Sequence, residues 1–167
     1  ARKGIKGMVA LTGEVLVDQL FSSYRDIAAK EGRELELGQD MALGIGYYIS
    51  GSQQEAIDTV RPYHDERYKW FAPFGFVRYT DSQGRPWGSP GAPAGAPAIE
   101  DGVEQKVWAC GPPEMLVELL QEFEERFPGL EDIILHWPEG MPWVEFRQQL
   151  TRFAEGVMPA FSGRAGS

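Results

Sequence analysis

Few residues of this chain could carry acid–base chemistry, and one of them directly follows an apolar run. His136 comes after the run at 133–135. An imidazole titrates near neutral pH, so His136 could act as a general acid or base. It could equally hydrogen-bond the turn at Pro138. The other histidine, His64, lies within a predicted helix, where we expect it on a solvent-exposed face.

Other polar groups also stand at or near the ends of apolar runs. Tyr47 and Tyr48 alternate in direction within a predicted strand, so one phenol should face inward. It could bind a substrate or simply pack in the core. Cys110 precedes Gly111 where a helix begins, and a buried thiol is favoured there over a nucleophile. The histidines and the single cysteine do not have the spacing of metal ligands.

The elements that must position these groups are clearest between residues 107 and 161. An apolar run at 107–110 precedes Gly-Pro-Pro-Glu, and apolar residues at helical spacing follow. The run at 133–135 predicts a second buried strand, and a last helix follows it. Pro112 and Pro113 suit a first helical turn, because the amide hydrogen that proline lacks is unpaired there. Such strand–helix units predict parallel strands with right-handed connections.

The first part of the chain continues this pattern. We expect a helix to end at residues 2–4. A strand is predicted at residues 6–12, and the helix that follows it is predicted at residues 15–29. Residues 41–49 predict the next strand. Ser50-Gly51-Ser52 then caps a helix that starts near Gln53.

Several of these motifs together resemble the bacterial luciferase-like family of flavin monooxygenases. The Gly-Pro-Pro-Glu turn at 111–114 matches the family's pattern. So does the C-terminal motif formed by Phe153 and Val157-Met158-Pro159. Tyr24-Arg25 also resembles part of a family helix. The resemblance covers nearly all of residues 1–161, with one interruption.

The resemblance implies an α/β fold, specifically the C-terminal half of a (β/α)8 TIM barrel. A complete barrel of this type needs about 250 residues. This chain has 167 residues, and its periodicity yields only about four strand–helix units. We therefore expect residues 1–167 to form a single partial barrel domain that is roughly the C-terminal half of a longer protein.

The interruption is a segment rich in proline and glycine. Its composition cannot bury enough apolar surface to order by itself, so residues 80–102 predict a flexible linker. The resemblance implies instead a mobile lid over the active site, with Phe76, Tyr79 and Trp87 as its apolar contacts. Residues 162–167 predict a flexible tail.

The resemblance also implies an activity. It is the oxidation of a small organic substrate by O2 and reduced FMN, which a separate flavin reductase supplies; in another branch the cofactor is F420. Barrel enzymes place their sites at the carboxyl ends of strands. The expected site comprises the flavin contacts Ala10, Leu11 and Thr12, the catalytic residue His136, and the substrate-pocket residues Tyr47 and Trp137.

Two departures from the family pattern limit this expectation. A tryptophan is common where this chain has Thr12. The chain also has no glycine-rich or serine-rich phosphate loop of the kind expected, so we expect weak or no FMN binding by residues 1–167 alone. A non-catalytic module that binds flavin or dimerises, and an unrelated α/β binding domain, remain open alternatives.

Charge and hydropathy exclude other classes of partner. The net charge of −9 argues against nucleic acids and anionic membrane surfaces. No apolar run reaches transmembrane length, and no signal-peptide pattern is present, which favours a cytoplasmic location. Strand edges left open by a partial barrel would favour a homo- or heterodimer.

Overall fold

The computed structural model describes residues 1–81, 83–91 and 95–162. Within these ranges, four parallel strands form one sheet: β1 (Gly7–Ala10), β2 (Met41–Ile49), β3 (Trp108–Gly111) and β4 (Asp132–His136). β2 is the central strand, because each of the other three pairs with it. β1 pairs with Met41 to Gly44, β3 with Gly46 to Ile49, and β4 with Ala42 to Gly46.

Five helices accompany the strands in the described residues: α1 (Glu14–Lys30), α2 (Gln53–Phe71), α3 (Ile99–Glu104), α4 (Pro113–Arg126) and α5 (Trp143–Gly156). Their starts follow the local signals. Ser52 Oγ accepts the amide of Glu55 at 3.2 Å and caps α2. Pro112 and Pro113 stand at the start of α4, where a missing amide hydrogen costs nothing.

The sheet separates two hydrophobic clusters. Odd-numbered residues of β2, such as Leu43 and Tyr47, pack with α1 and α4. On the other face, Tyr48 and the β3 residues Trp108 and Cys110 pack with α2 and α3. The period of two along a strand produces this division. Both faces of the sheet are therefore covered by helices.

The prediction of an α/β fold with a parallel sheet is confirmed. The pairing of β4 differs from the order of a closed barrel, in which consecutive strands are neighbours. Here β4 pairs with β2. Beyond the end of β4, the Gln149 side chain hydrogen-bonds to the backbone of β2. Its Oε1 accepts from the Ile49 amide at 2.7 Å, and its Nε2 donates to the Ile49 carbonyl at 3.0 Å.

Residues 2–4 form a turn that is closed by a hydrogen bond from Gly4 N to the Ala1 carbonyl, and the helix end predicted there stays a prediction. Two expectations for the strands need correction. The first strand stops at Ala10 because Leu11 has a φ of +47°, which turns the backbone away from β2. β4 is only half-buried, and Ile134 is exposed.

The segment predicted as a lid is partly built into the fold. Tyr79 is a core residue, Thr80 forms an antiparallel bridge with Pro86, and Ile99 starts α3 fully buried. The Trp87 indole N–H donates to the Gly95 carbonyl at 2.8 Å. Because Ser82 and residues 92–94 lie outside the described residues, the mobile lid stays a prediction. Residues 163–167 of the predicted tail also lie outside them.

Candidate functional site

The carboxyl ends of β1 and β4 both lie beside the middle of β2, at Gly44 and Gly46 respectively. Ala10 pairs with Gly44 on one strand pair, and His136 pairs with Gly46 on another. A Cβ atom built on Gly44 would lie 2.6 Å from His136 Nε2 and 2.9 Å from the Cβ of Ala10. The absence of a side chain at Gly44 lets the imidazole lie against the sheet. The structure thus brings together two predicted site residues, Ala10 and His136.

The imidazole of His136 is poised as a neutral hydrogen-bonding group. Its Nε2 is buried, and no described residue hydrogen-bonds to it. Burial, with a smaller contribution from the nearby Arg67 guanidinium, lowers the pKa of His136, so the ring is neutral at neutral pH. A buried polar atom without a partner costs free energy. A ligand heteroatom that reached this nitrogen would remove that cost.

Arg67 connects α2 to the loop that follows β4. Its guanidinium forms an ion pair with Glu139, three residues after His136 in sequence. It also lies 5.0 Å from the ring centroid of Phe71, which is a cation–π arrangement. These contacts fix the loop against α2 and keep a positive charge near the imidazole.

The other two predicted flavin contacts are engaged within the fold. The Leu11 side chain is buried in the cluster beneath α2, and its amide donates to the Gly44 carbonyl at 2.8 Å. The Thr12 hydroxyl donates to the Ala10 carbonyl at 2.9 Å and is also buried. A flavin contact by Leu11, Thr12 or Ala10 stays a prediction.

The two predicted substrate-pocket residues have different surroundings. Tyr47 is 1% exposed and packs on the opposite face of the sheet, with its ring centroid 5.8 Å from that of Phe153. As an odd-numbered residue of β2 it points into the core, where its hydroxyl is buried and has no hydrogen-bond partner among the described residues. Its pocket role stays a prediction. Trp137 lies at the surface, with its ring 4.1 Å from Phe146. Its substrate role stays a prediction.

The sequence reasoning was wrong about His64. This residue lies on the buried face of α2 and is fully buried. Its Nε2 lies 3.4 Å from the Tyr79 hydroxyl, and its ring centroid lies 4.6 Å from that of Tyr68. Burial lowers the pKa of His64 and raises that of Tyr79 well above its ordinary value. A signal was present, since Val60, His64 and Tyr68 recur at i, i+4 spacing, which marks a single helix face.

Cys110 and Tyr48 behave as structural groups. Burial raises the pKa of the Cys110 thiol to about 12, so the predicted buried and unreactive cysteine agrees with its position in the core. The Tyr48 hydroxyl donates to Glu145 Oε1 at 2.5 Å. Burial, with that hydrogen bond, raises the pKa of Tyr48 to about 12. Neither group offers a nucleophile at neutral pH.

A pocket at the N-terminus of α2 is poorly suited to a flavin phosphate. Ser50, Gly51 and Glu55 line it together with Arg152. Helix N-termini attract anions, but here Ser52 Oγ already caps the helix and the acidic Glu55 lies in its first turn. The Arg152 guanidinium donates to the Ile49 carbonyl at 2.6 Å. The lining of this pocket therefore does not fit a phosphate group.

The described ranges contain neither a metal site nor a membrane-spanning helix. No group of three or more histidine, cysteine or carboxylate side chains there could hold a metal ion. None of the helices in these ranges combines the length and apolar character needed to cross a membrane.

Comparison with protein-family models and with curated proteins gave no match. Among solved structures, the fold is similar to the oxygenating constituent of 3,6-diketocamphane monooxygenase from Pseudomonas putida, a type II Baeyer–Villiger monooxygenase described in complex with FMN. That match has a TM-score of 0.67 and 18% identity, and it covers 95% of this chain and 43% of that one.

Two further monooxygenases give similar matches. RslO1 from Streptomyces bottropensis matches with a TM-score of 0.59 and 19% identity, over 96% of this chain and 43% of that one. EDTA monooxygenase EmoA from Chelativorans sp. BNC1 matches with a TM-score of 0.52 and 11% identity, over 95% and 42%. The chain therefore spans less than half the length of these structures. At this identity the likeness concerns the fold, and it confirms the predicted resemblance to luciferase-like monooxygenases at that level.

Proposed function

We propose that this chain is part of a flavin-dependent monooxygenase and that it contributes one edge of the flavin-ring site. The observation that supports this most strongly is the fold likeness over 95% of the chain to a monooxygenase described with FMN. The position of His136 and Ala10 at the carboxyl ends of β4 and β1 agrees with it, because barrel enzymes place their sites at such ends.

In this proposal His136 is the catalytic residue. Its neutral imidazole offers Nε2 to a heteroatom of the flavin ring or of the substrate, either as a hydrogen-bond partner or as a base. When bound, reduced FMN would provide the group that reacts with O2, whereas F420 would carry hydride. The protein would orient the reactants and exclude water.

The partners follow from that chemistry. A small organic molecule and O2 are the proposed substrates, and a separate flavin reductase is the proposed source of reduced FMN. A homo- or heterodimer and a cytoplasmic location are retained as proposals. No nucleic-acid partner is proposed, because the net charge is −9.

A comparison of two flavins tests the proposal. FMN and riboflavin differ only in the phosphate, for which the described residues offer no suitable site. Titrations followed by flavin fluorescence should therefore give similar, weak dissociation constants, about 1 mM for both. His136→Gln should weaken both, whereas Arg147→Gln, an exposed change on α5, should weaken neither.

Other results would overturn parts of the proposal. Micromolar FMN binding without micromolar riboflavin binding would show a phosphate site and contradict the ring-edge assignment. Binding that His136→Gln leaves intact would remove His136 from the site. If flavin binds but reduced flavin and O2 never oxidise an added organic substrate, even with the rest of the protein present, the non-catalytic module is the better interpretation.

A further inference from the structure

A second concave site lies beside the loop that follows His136. It is a groove of about 530 Å³ at the C-terminal end of α2, lined chiefly by Arg67, Trp70, Phe71, Phe74, Phe76 and Glu139. We call it the aromatic groove. Its volume falls in the range of about 300–1,000 Å³ that is typical of small-molecule sites.

Aromatic side chains dominate this groove and are unusually accessible. Trp70, Phe74 and Phe76 are 66%, 74% and 59% exposed. The ring of Phe76 stands edge-on to that of Phe71, with centroids 6.0 Å apart. Several large exposed apolar side chains in one place indicate a binding surface. Because aromatic rings attract one another in offset and edge-on arrangements, this surface suits a ligand with an aromatic ring.

The charged groups in the groove decide the charge of its ligand. Arg67 is ion-paired with Glu139. Glu66 accepts hydrogen bonds from the Trp70 indole at 3.0 Å and from Lys69 Nζ at 3.3 Å. A charged ligand would lose its hydration without gaining an unpaired counter-ion. A neutral ligand avoids that cost.

We propose that the aromatic groove binds a neutral aromatic molecule, which serves as the organic substrate. Glu139 lines the groove and lies three residues after His136 in sequence, so the ligand would sit next to the proposed ring site. Binding of this molecule in the groove does not depend on the proposed function, but its role as the substrate rests on that function.

The test uses 2-naphthol as the probe, without flavin, in equilibrium dialysis against the whole chain. Two matched ligands separate the contributions: cyclohexanol is neutral without an aromatic ring, and 2-naphthalenesulfonate has the ring with a charge. The groove should bind 2-naphthol at least about tenfold more tightly than either, a difference of about 1.4 kcal/mol.

Two tryptophan variants locate the binding. Trp70→Ala should weaken 2-naphthol binding about tenfold. Because the Trp70 side chain is exposed, its removal should leave the fold intact. Trp143 is similarly exposed, at 61%, but contacts Phe146 on α5 and lies outside the groove. Trp143→Ala should therefore leave binding unchanged.

Three results would overturn the proposal. The first is equal binding of cyclohexanol, and the second is binding that Trp70→Ala leaves intact. The third is an oligomer in sedimentation equilibrium that Trp70→Ala dissociates, without any 2-naphthol binding, because the groove would then be an interface between copies. Riboflavin binding that still depends on His136 would show that only the groove proposal has failed. If riboflavin does not bind but 2-naphthol does, the groove proposal stands and only the proposed flavin site has failed.

Discussion

Gly44 and His136 are in direct contact across two paired strands. The Nε2 atom of the imidazole occupies the space that a side chain on Gly44 would need, since a Cβ there would lie only 2.6 Å away. This contact explains how a polar ring can lie against the sheet on the α2 side. It also makes the position of His136 sensitive to a single methyl group.

Gly44→Ala should displace His136 and destabilise the fold. Overpacking of this kind costs about 1–3 kcal/mol, and the half-buried ring can move outward into solvent. The pKa of His136, which burial lowers, should then rise towards about 6.5. Urea denaturation and an NMR pH titration of the imidazole measure the two effects.

Gly51→Ala is the matched control for that change. The nearest heavy atom to a Cβ there is the Glu55 carboxylate, 3.3 Å away on an exposed side chain. This variant should keep its stability and the pKa of His136. Equal stability of the two variants, with an unchanged His136 pKa, would contradict the proposed contact.

Gln149→Leu should destabilise the protein by about 1–3 kcal/mol, because the buried amide of Ile49 would lose its acceptor. Arg152 would still donate to the Ile49 carbonyl. Gln148→Leu changes the same residue type at the adjacent, exposed position and should have an effect below about 0.5 kcal/mol. Free energies of unfolding from urea titrations decide between them, and equal values would remove Gln149 from its role at the end of β2.

His64 should make stability depend on pH. Burial lowers its pKa in the folded state, and the carboxylates of Asp65, Asp101 and Glu100 oppose this only in part. Above about pH 6.5 neither state is protonated, whereas below it the unfolded chain binds the proton first. The free energy of unfolding should therefore fall as the pH drops, by up to about 1.4 kcal/mol per pH unit for one histidine.

The variant His64→Gln isolates this contribution. His136 also has a lowered pKa and contributes with the same sign, so the variant should keep roughly half of the slope. Urea titrations between about pH 7.5 and pH 5.5 measure it, because most carboxylates stay ionised there. The slope is the readout, since the substitution itself changes stability at every pH. An unchanged slope would show that His64 binds protons as readily in the folded protein as in the unfolded chain, so that burial does not lower its pKa.

Local signals account for what could be predicted from the sequence. The bounds of β2, Met41–Ile49, were correct because strand and flanking turn residues are distinct there. Ser52 and the proline pair before α4 mark helix starts through their own chemistry. The parallel arrangement followed from the alternation of strands and helices.

Long-range packing accounts for what could not be predicted. The pairing of β4 with β2 depends on which strand edge is available, and the sequence of β4 carries no such information. Alternation along a strand shows that Tyr47 and Tyr48 lie on opposite faces of the sheet. It does not show which of the two faces α2, because that depends on how the whole strand packs. The contact between Gly44 and His136 joins residues far apart in the chain, so neither residue alone indicates it.

The most direct test of the central claim is an NMR titration that locates the flavin. In ¹H–¹⁵N spectra recorded during addition of FMN, the largest shift changes should occur at the amides of Ala10, Gly44 and His136, where β1, β2 and β4 meet. His136→Gln should abolish them. Largest changes at Ser50 to Ser52 instead, or FMN binding that shifts none of the amides of Ala10, Gly44 and His136, would contradict a flavin-ring site at the carboxyl ends of β1 and β4.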